Sequence, residues 1–351
     1  MITNKIVKTD MQRRILGVWN LRGDRLSLGC LLIFLEELRI QQLIHKAEYI
    51  DLCFIGDGSK ILSGNEVCGK DGLLRVLGKE CCNKSIIITT LLDIDNINLY
   101  YQCDSFRILQ NFISDASCEY ILWPSANEQE ILNYNCDNTF TVQKFFQNYS
   151  FIPYLSCRIG LLDWAINFLQ SNVFPSIPVV IHLKNNPEEQ NCSNANFDAW
   201  IAFFETCNVR YNAKFILIGN EKIDKRIHNI PNVLLARDFG SNLSRDLALI
   251  QTACIFMGMT SGPCQMALFS DVPYIIYKNP DHHAEKMHLE LGREDRYSFA
   301  TSLQKVLRAI ETQENILSNF DFLYNNVNEH YWETKQEKLQ LHKNEYGKKT
   351  F

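Results

Sequence analysis

The sequence lacks the features that carry a chain into or across a membrane. It contains no uninterrupted apolar stretch near the roughly 18–20 residues that a transmembrane helix needs. The apolar stretch Cys30–Leu35 is stopped at once by Glu36 and Glu37. The segment Met1–Arg14 is polar and charged, without the apolar core of a signal peptide. We therefore expect a cytoplasmic protein.

The cysteines lack the spacing of a metal site or of a disulfide framework. There are 13 of them, an odd number, scattered along the chain with no Cys-x-x-Cys pair. Cys81 and Cys82 are adjacent, which is poor geometry for a mutual disulfide. This usage fits the reducing cytoplasm.

An excess of positive charge is also missing. The formal net charge is −5, so no strongly basic domain is present and we expect no nucleic-acid partner. Basic clusters occur at Lys222–Arg226 and from Lys335 to Lys349. Such clusters are usually solvated faces, but the second leaves open a peripheral contact with the inner membrane surface.

What is present is the composition of a folded chain of more than one domain. A hydrophobic content of 46% and a charged content of 21% exclude a disordered protein. A length of 351 residues exceeds one comfortable core and suggests two domains.

Strand-like and helix-like segments alternate in the first half. Ile15–Trp19, Tyr49–Ile55, Ser85–Thr90 and Tyr120–Trp123 are predicted strands, and Leu26–Arg39 is a helix that is apolar nearly all round. This alternation predicts a parallel sheet with helices on both faces.

The second half repeats the pattern. The predicted strands are Val179–Leu183, Phe215–Ile218, Val233–Ala236, Cys254–Gly258 and Tyr274–Tyr277, and the predicted helices are Ile159–Leu169, Phe197–Glu205, Asp246–Thr252 and Leu303–Thr312. Two successive units of this kind predict an α/β protein with two Rossmann-like, doubly wound domains facing a cleft. We expect a first domain over residues 1–152, a connecting helix and linker over 153–174, a second domain over 175–315 and a helical tail over 316–351.

The segment between two of these strands is suited to an anionic ligand. Thr260, Ser261 and Gly262 are residues that cap helices, and Pro263 fits a first helical turn. Free backbone N–H groups at such a turn, beside two hydroxyl groups, form a site for phosphate or diphosphate. The alternative is an ordinary capped helix after a strand. The motif therefore points to a nucleotide-linked ligand.

This stretch resembles the donor-binding segment of the GT-B glycosyltransferases, in their heptosyltransferase-like branch. The pattern of that branch is matched by Gly258, Ser261, Gly262, Ala267 and Pro273. Gln265 departs from it, because it stands where the family often has histidine. A second match is the Gly23-Asp24 dipeptide after the first strand, which is similar to the Gly-Asp that opens the acceptor-side helix of the branch.

The resemblance implies a cleft with a donor side and an acceptor side. On the acceptor side Asp24 is the candidate general base, with Asn20 and Arg22 as candidate acceptor-binding residues; the alternative for Asp24 is a helix cap. On the donor side, next to the Thr260–Pro263 turn and Gln265, the candidate nucleotide-sugar-binding residues are His182, Lys184 and Glu285. Alternatives for these are a buried core histidine, a solvated lysine and a polar loop.

The function implied is transfer of a hexose or heptose from a nucleotide-sugar donor to a glycan or lipid-linked acceptor. We expect an inverting, metal-independent reaction in cell-surface polysaccharide or lipopolysaccharide synthesis, with no cofactor besides the nucleotide-sugar co-substrate. Asp281, His282, His283 and His288 lack the spacing of a zinc site. Two alternatives stay open: a non-hydrolysing nucleotide-sugar epimerase, and a non-catalytic GT-B-like protein that binds a glycan or nucleotide.

Overall fold

A computed structural model describes residues 12–21, 27–56, 67–68, 75–76, 84–85, 97–103, 105–134, 136–186, 193–327, 334–335 and 337. The chain divides into two compact units, Met1–Asn138 and Thr139–Phe351. The four-part division with boundaries at 152, 174 and 315 stays a prediction. Within the described residues, no helix combines the length and the apolar character needed to cross a membrane.

The first unit is built on a parallel sheet. Its strands are Arg13–Asn20 (β1), Tyr49–Ile55 (β2), Val67–Cys68 (β3), Arg75–Val76 (β4), Lys84–Ser85 (β5), Ile97–Cys103 (β6) and Glu119–Trp123 (β7). Five of them form one sheet in the order β4-β6-β2-β1-β7, and β3 pairs with β5 in a separate antiparallel pair. Strand β6 was not predicted from the sequence. Apart from Ser85, the predicted strand Ser85–Thr90 lies outside the described residues.

The described residues of this unit form three helices: Leu28–His45 (α1), Phe106–Ser114 (α2) and Glu128–Asn133 (α3). Helix α1 begins after Ser27, whose hydroxyl accepts a hydrogen bond from the Cys30 N–H at 3.2 Å. It ends at Lys46, which has left-handed backbone angles. Leu31, Phe34 and Leu38 are fully buried, so α1 is a core helix as its composition predicts.

The first unit also buries charged side chains, and it pairs most of them. Arg14 donates two hydrogen bonds to the Asp51 carboxylate, at 2.7 and 2.8 Å, and the Tyr120 hydroxyl donates to the same carboxylate at 3.0 Å. Glu37 accepts hydrogen bonds from the Trp123 indole N–H and the Tyr134 hydroxyl. Glu36 is the exception, because both of its carboxylate oxygens are buried without a hydrogen-bond partner.

The second unit contains a six-stranded parallel sheet. Its strands are Ile177–His182 (β8), Ala213–Ile218 (β9), Val233–Leu235 (β10), Ile255–Met259 (β11), Tyr274–Lys278 (β12) and Gln304–Arg308 (β13). Its α-helices are Phe140–Tyr149 (α4), Ile159–Asn172 (α5), Phe197–Arg210 (α6), Leu243–Thr252 (α7), Cys264–Leu268 (α8), Ala284–Leu291 (α9) and Gln313–Asn326 (α10).

The strand order of this sheet is β10-β9-β8-β11-β12-β13. The chain moves outward from β8 to β10, then returns to place β11 on the other side of β8 and continues outward to β13. The order therefore reverses between β8 and β11, and this is the point at which doubly wound sheets bind their ligands. In the first unit β1 has the same position, since it pairs with β2 on one side and with β7 on the other. Both units are doubly wound α/β units.

The predicted helix Leu303–Thr312 is wrong, because this segment forms the edge strand β13. Its apolar residues, Leu303, Val306, Leu307 and Ile310, follow helical spacing by coincidence. Pairing of β13 with β12 over five residue pairs overrides that local pattern. The following helix, α10, begins after Thr312 with a capping box formed with Asn315.

We predict that Glu36→Met stabilises the protein at neutral pH by roughly 1–3 kcal/mol, the usual cost of an unsatisfied buried polar group. Burial raises the pKa of Glu36 well above 4.5, against an opposing effect of Arg39. Because the pKa is raised on folding, the wild type should lose stability as the pH rises above about 4.5. Thermal unfolding across pH measures both effects.

Glu37→Met is the matched control for this prediction. Glu37 is also buried on α1, but it accepts hydrogen bonds from Trp123 and Tyr134, which its loss would leave without their acceptor. The Glu37→Met substitution should therefore destabilise the protein. A Glu36→Met variant that melts below the wild type at pH 7 would contradict the prediction.

Candidate functional site

The candidate site lies at the carboxyl ends of β8 and β11, where the strand order of the second unit reverses. His182 is the last residue of β8 and lies opposite Gly258 of β11 in the sheet register. The Thr260–Pro263 turn follows β11 directly. The sheet thus brings together two segments that are far apart in the sequence.

His182 is the centre of a hydrogen-bonded chain. Its Nδ1 atom is 2.9 Å from the Ser261 hydroxyl oxygen, and its Nε2 atom is 3.0 Å from Glu221 Oε1. The side chain of His182 is almost fully buried, whereas Ser261 and Glu221 are partly exposed. His182 therefore fits both interpretations made from the sequence. It is a buried histidine, and its imidazole is hydrogen-bonded to Ser261 of the predicted ligand turn.

Two glycines make this close arrangement possible. At Gly258, with φ of +153°, a Cβ atom would be 2.3 Å from the His182 carbonyl oxygen. At Gly219, with φ of +96°, a Cβ atom would be 2.2 Å from Glu221 Oε2 and 3.0 Å from His182 Nε2. A side chain at Gly258 would collide with the backbone of His182, and a side chain at Gly219 would collide with the side chains of Glu221 and His182.

Asp246 adds a second carboxylate near His182. It comes from α7, accepts a hydrogen bond from the Gly219 N–H at 3.0 Å and accepts another from the Ser241 hydroxyl at 2.5 Å. Burial raises the pKa of Asp246 to about 6, partly offset by these bonds and by the charge of His182. Burial also works to raise the pKa of Glu221, but its hydrogen bond and charge interaction with His182 lower it overall. His182 therefore interacts with two acidic side chains, Glu221 in the loop after β9 and Asp246 on α7.

The Thr260–Pro263 turn uses its side chains differently from a simple helix cap. The Thr260 hydroxyl donates to the Tyr277 carbonyl at 3.1 Å, which ties the turn to β12. Helix α8 has five residues and no side-chain cap. So short a helix aligns few peptide dipoles. The charge and hydrogen-bonding capacity of the site therefore reside mainly in side chains.

Lys184 supplies positive charge near this turn. Burial raises the pKa of the Cys264 thiol to about 11, while Ser261, nearby backbone N–H groups and the Lys184 charge act in the opposite direction. The Lys184 charge therefore acts on the thiol of Cys264, the first residue of α8. Lys184 is partly buried, two residues beyond the end of β8.

The other predicted donor-side residues occupy different surroundings. Gly262 and Pro263 are partly buried, and Pro263 has helical backbone angles. Gln265 lies on α8, and its side-chain oxygen is buried without a hydrogen-bond partner. Such an oxygen is costly unless a donor reaches it, and a ligand N–H or O–H group can supply one. Glu285 is exposed in the first turn of α9.

The acceptor-side prediction falls mostly outside the described residues. Asn20 is the last residue of β1 and is partly buried at the reversal point of the first sheet. Arg22 and Asp24 lie outside the described residues. Their roles stay predictions.

Sequence reasoning missed Glu221 and Asp246. Gly219 and Glu221 follow the predicted strand Phe215–Ile218 at once, and residues at the carboxyl end of a strand next to the reversal point are site candidates. That signal was available for Glu221. Asp246 gave no such signal, because the sequence of its predicted helix does not indicate which face of the helix lies toward the edge of the sheet.

The histidine-rich segment forms its own contacts. The Lys278 ammonium is 2.9 Å from His282 Nδ1, and the rings of His282 and His283 lie with centroids 4.2 Å apart. Within the described part of the chain, no group of three or more His, Cys, Asp and Glu side chains is placed to hold a metal ion.

The fold is similar to that of solved glycosyltransferase structures. One similar structure is a family 9 glycosyl transferase from Veillonella parvula, at 10% identity, covering 90% of this chain and 97% of the other, with a TM-score of 0.50. Another is the E. coli heptosyltransferase WaaC with ADP, at 12% identity, covering 89% of this chain and 100% of the other, also with a TM-score of 0.50. The predicted GT-B fold is confirmed. No protein-family model and no curated protein matches the sequence.

We predict that Gly258→Ala destabilises the second unit by roughly 1–3 kcal/mol, the range for backbone strain and overpacking. The reason is the collision of its Cβ atom with the His182 carbonyl. Gly160→Ala is the matched control, because Gly160 lies in helix α5 and a Cβ atom added there would have no neighbouring atom within 4 Å. It should be neutral or stabilise the protein by up to about 1 kcal/mol. Equal melting temperatures for the two variants would contradict the prediction.

Proposed function

We propose that this protein is a glycosyltransferase that transfers a sugar from a nucleotide-sugar donor. The observation that carries the proposal is the position of Ser261, His182 and Lys184 at the strand-reversal point of a GT-B fold. Ligands of doubly wound sheets bind at this point, and these side chains offer a hydroxyl, an imidazole and an ammonium group. Such groups suit a diphosphate better than an apolar ligand.

The chemistry of sugar transfer fits this placement. The diphosphate gains negative charge as it leaves the anomeric carbon, so groups that meet this charge lower the barrier. Lys184 supplies a cation, and the Ser261 hydroxyl supplies a hydrogen-bond donor. In this proposal the reaction needs no divalent metal, because protein groups stabilise the leaving diphosphate.

The acceptor would bind to the first unit. We assign Asp24 the role of general base, which takes the proton of the acceptor hydroxyl as its oxygen attacks the anomeric carbon. Direct attack by the acceptor gives inversion at that carbon. Asn20 and Arg22 would bind acceptor hydroxyl or carboxylate groups, and Gln265 and Glu285 would contact the donor. The acceptor would be a glycan or a lipid-linked glycan of the cell surface, met at the inner membrane surface.

The similar proteins indicate where to begin the search for a donor. The WaaC structure named above contains ADP. ADP-sugars, including ADP-heptose and ADP-glucose, are therefore the first donors to test, with UDP-glucose and GDP-mannose as comparisons. Release of nucleoside diphosphate in the presence of acceptor supports a transferase. Conversion of the sugar without release indicates an epimerase, and binding without either indicates a non-catalytic protein.

We predict that Lys184→Met weakens binding of the nucleotide sugar by about tenfold, or about 1.4 kcal/mol, because a charge beside the diphosphate is lost. Lys225→Met is the matched control, since Lys225 is exposed at the start of a short 3-10 helix that follows β9. Calorimetric titration measures both. Equal losses in the two variants would remove Lys184 from the donor site.

We predict that Asp24→Asn lowers turnover by about 10²–10⁴-fold and leaves donor affinity nearly unchanged, as loss of a general base does. Asp115→Asn is the control, because Asp115 is an exposed carboxylate of the same unit. Turnover of the wild type should survive excess chelator. Asp24 is not the cap of α1, which is Ser27; if Asp24 has another purely structural role, the variant loses stability and turns over normally.

A further inference from the structure

The Ser261 hydroxyl has one proton and three groups that compete for it. His182 Nδ1 lies at 2.9 Å and the Cys264 sulfur at 3.2 Å, and a bound diphosphate would be the third. A serine hydroxyl donates one hydrogen bond and accepts up to two. Whether Ser261 can donate to an anionic ligand therefore depends on the protons of its neighbours.

The Cys264 thiol does not supply a proton to Ser261. Its sulfur lies 2.7 Å from the Met259 carbonyl oxygen, to which the thiol donates. Burial raises the pKa of this thiol to about 11, so it keeps its proton at neutral pH. The Cys264 sulfur can thus accept a hydrogen bond from the Ser261 hydroxyl but does not donate one to it.

The orientation of the His182 protons is set by Glu221. His182 Nε2 is 3.0 Å from Glu221 Oε1, and an ionised carboxylate only accepts. Nε2 must therefore carry a proton. In a neutral imidazole this leaves Nδ1 bare, and Nδ1 then takes the Ser261 proton as its hydrogen bond. In that state the Ser261 hydroxyl presents only lone pairs to a ligand and cannot donate a hydrogen bond to it.

A protonated His182 reverses the bond to Ser261. Nδ1 then donates to the Ser261 oxygen, and the hydroxyl proton becomes available to an anionic oxygen. We propose that binding of a diphosphate ester at this turn is coupled to uptake of one proton by His182, with Glu221 as the positioning residue that enforces the coupling. The proposal rests on the proposed function, because it concerns the same donor site.

The charged and titratable groups around His182 come from four elements. Glu221 faces it from the loop after β9, and Asp246 from α7, where the His182 charge is felt at the carboxyl group. Lys184 lies in the segment that follows β8, and Cys264 lies beyond Ser261 on α8. Two acidic side chains thus interact with His182, Glu221 by direct contact and Asp246 through space. The diphosphate adds further negative charge when it binds.

The coupling predicts a specific pH dependence of affinity. Uptake of one proton makes the association constant fall by up to about tenfold per pH unit once His182 is neutral in the free protein. The association constant should therefore be lower at pH 8.5 than at pH 5.5. The probes are ADP-glucose, UDP-glucose and GDP-mannose, whose diphosphate diesters do not themselves titrate in this range. Calorimetry at pH 7.5 in two buffers of different ionisation enthalpy then counts the protons taken up.

Three variants separate the hydrogen-bond coupling from a general effect of charge. Ser261→Ala should bind more weakly and lose most of the pH dependence, whereas Ser261→Thr keeps the hydroxyl and should retain it. Glu221→Gln should bind at pH 8.5 with little proton uptake. The reason is that a glutamine N–H can donate to Nε2, so a neutral His182 can carry its proton on Nδ1. A simple through-space attraction between His182 and the diphosphate would instead leave Ser261→Ala as pH-dependent as the wild type.

The outcomes distinguish this inference from the proposed function. Binding with proton uptake that Ser261→Ala and Glu221→Gln both reduce supports the inference. Binding that does not change with pH, or that keeps its pH dependence in Ser261→Ala, overturns the inference and leaves the proposed function standing. Failure of all three probes to bind at both pH 5.5 and pH 8.5 overturns the donor site and the inference with it. The variants' melting curves identify any loss of folding.

Discussion

The close approach of the β8 and β11 backbones at Gly258 is the constraint on which the candidate site depends. A Cβ atom at this position would lie 2.3 Å from the His182 carbonyl oxygen, so only glycine lets the two strands meet with His182 at the sheet edge. The same pairing of β8 with β11 places His182 2.9 Å from the Ser261 hydroxyl. The contact between the buried imidazole and the ligand turn therefore depends on this close packing.

Burial gives this small cluster its chemical character. In a site of low dielectric constant, charge and hydrogen-bond direction have larger energetic consequences than they have in water. Here Glu221 contacts the His182 imidazole, Asp246 interacts with it through space, and the Lys184 charge acts on Cys264 after the turn. The arrangement differs from a helix N-terminus that simply presents backbone N–H groups, because α8 is too short for a substantial dipole. Side chains then determine which ligands the turn accepts.

The two units place charge in their interiors by different means. In the first unit, Arg14 and Asp51 neutralise each other with two direct hydrogen bonds, while Glu36 is buried with none. In the second unit, Glu221 and the buried His182 form a hydrogen-bonded chain that ends at Ser261 at the sheet edge, and the buried Asp246 lies beside this chain. A satisfied pair contributes to the uniqueness of the fold, and a chain that reaches a ligand turn contributes to function.

The local sequence determined most of the strands and the helices α1, α5, α6 and α7, because apolar periodicity and turn residues report burial on one face. It also identified the Thr260–Pro263 turn and His182 as separate candidates. It failed at β13, where helical spacing of Leu303, Val306 and Ile310 lost to pairing with β12. The partnership of His182 with Glu221 and Asp246 was decided by tertiary structure alone. The reason is physical: hydrogen-bond partners across parallel strands are brought together by the order of the sheet, and no short-range pattern records that order.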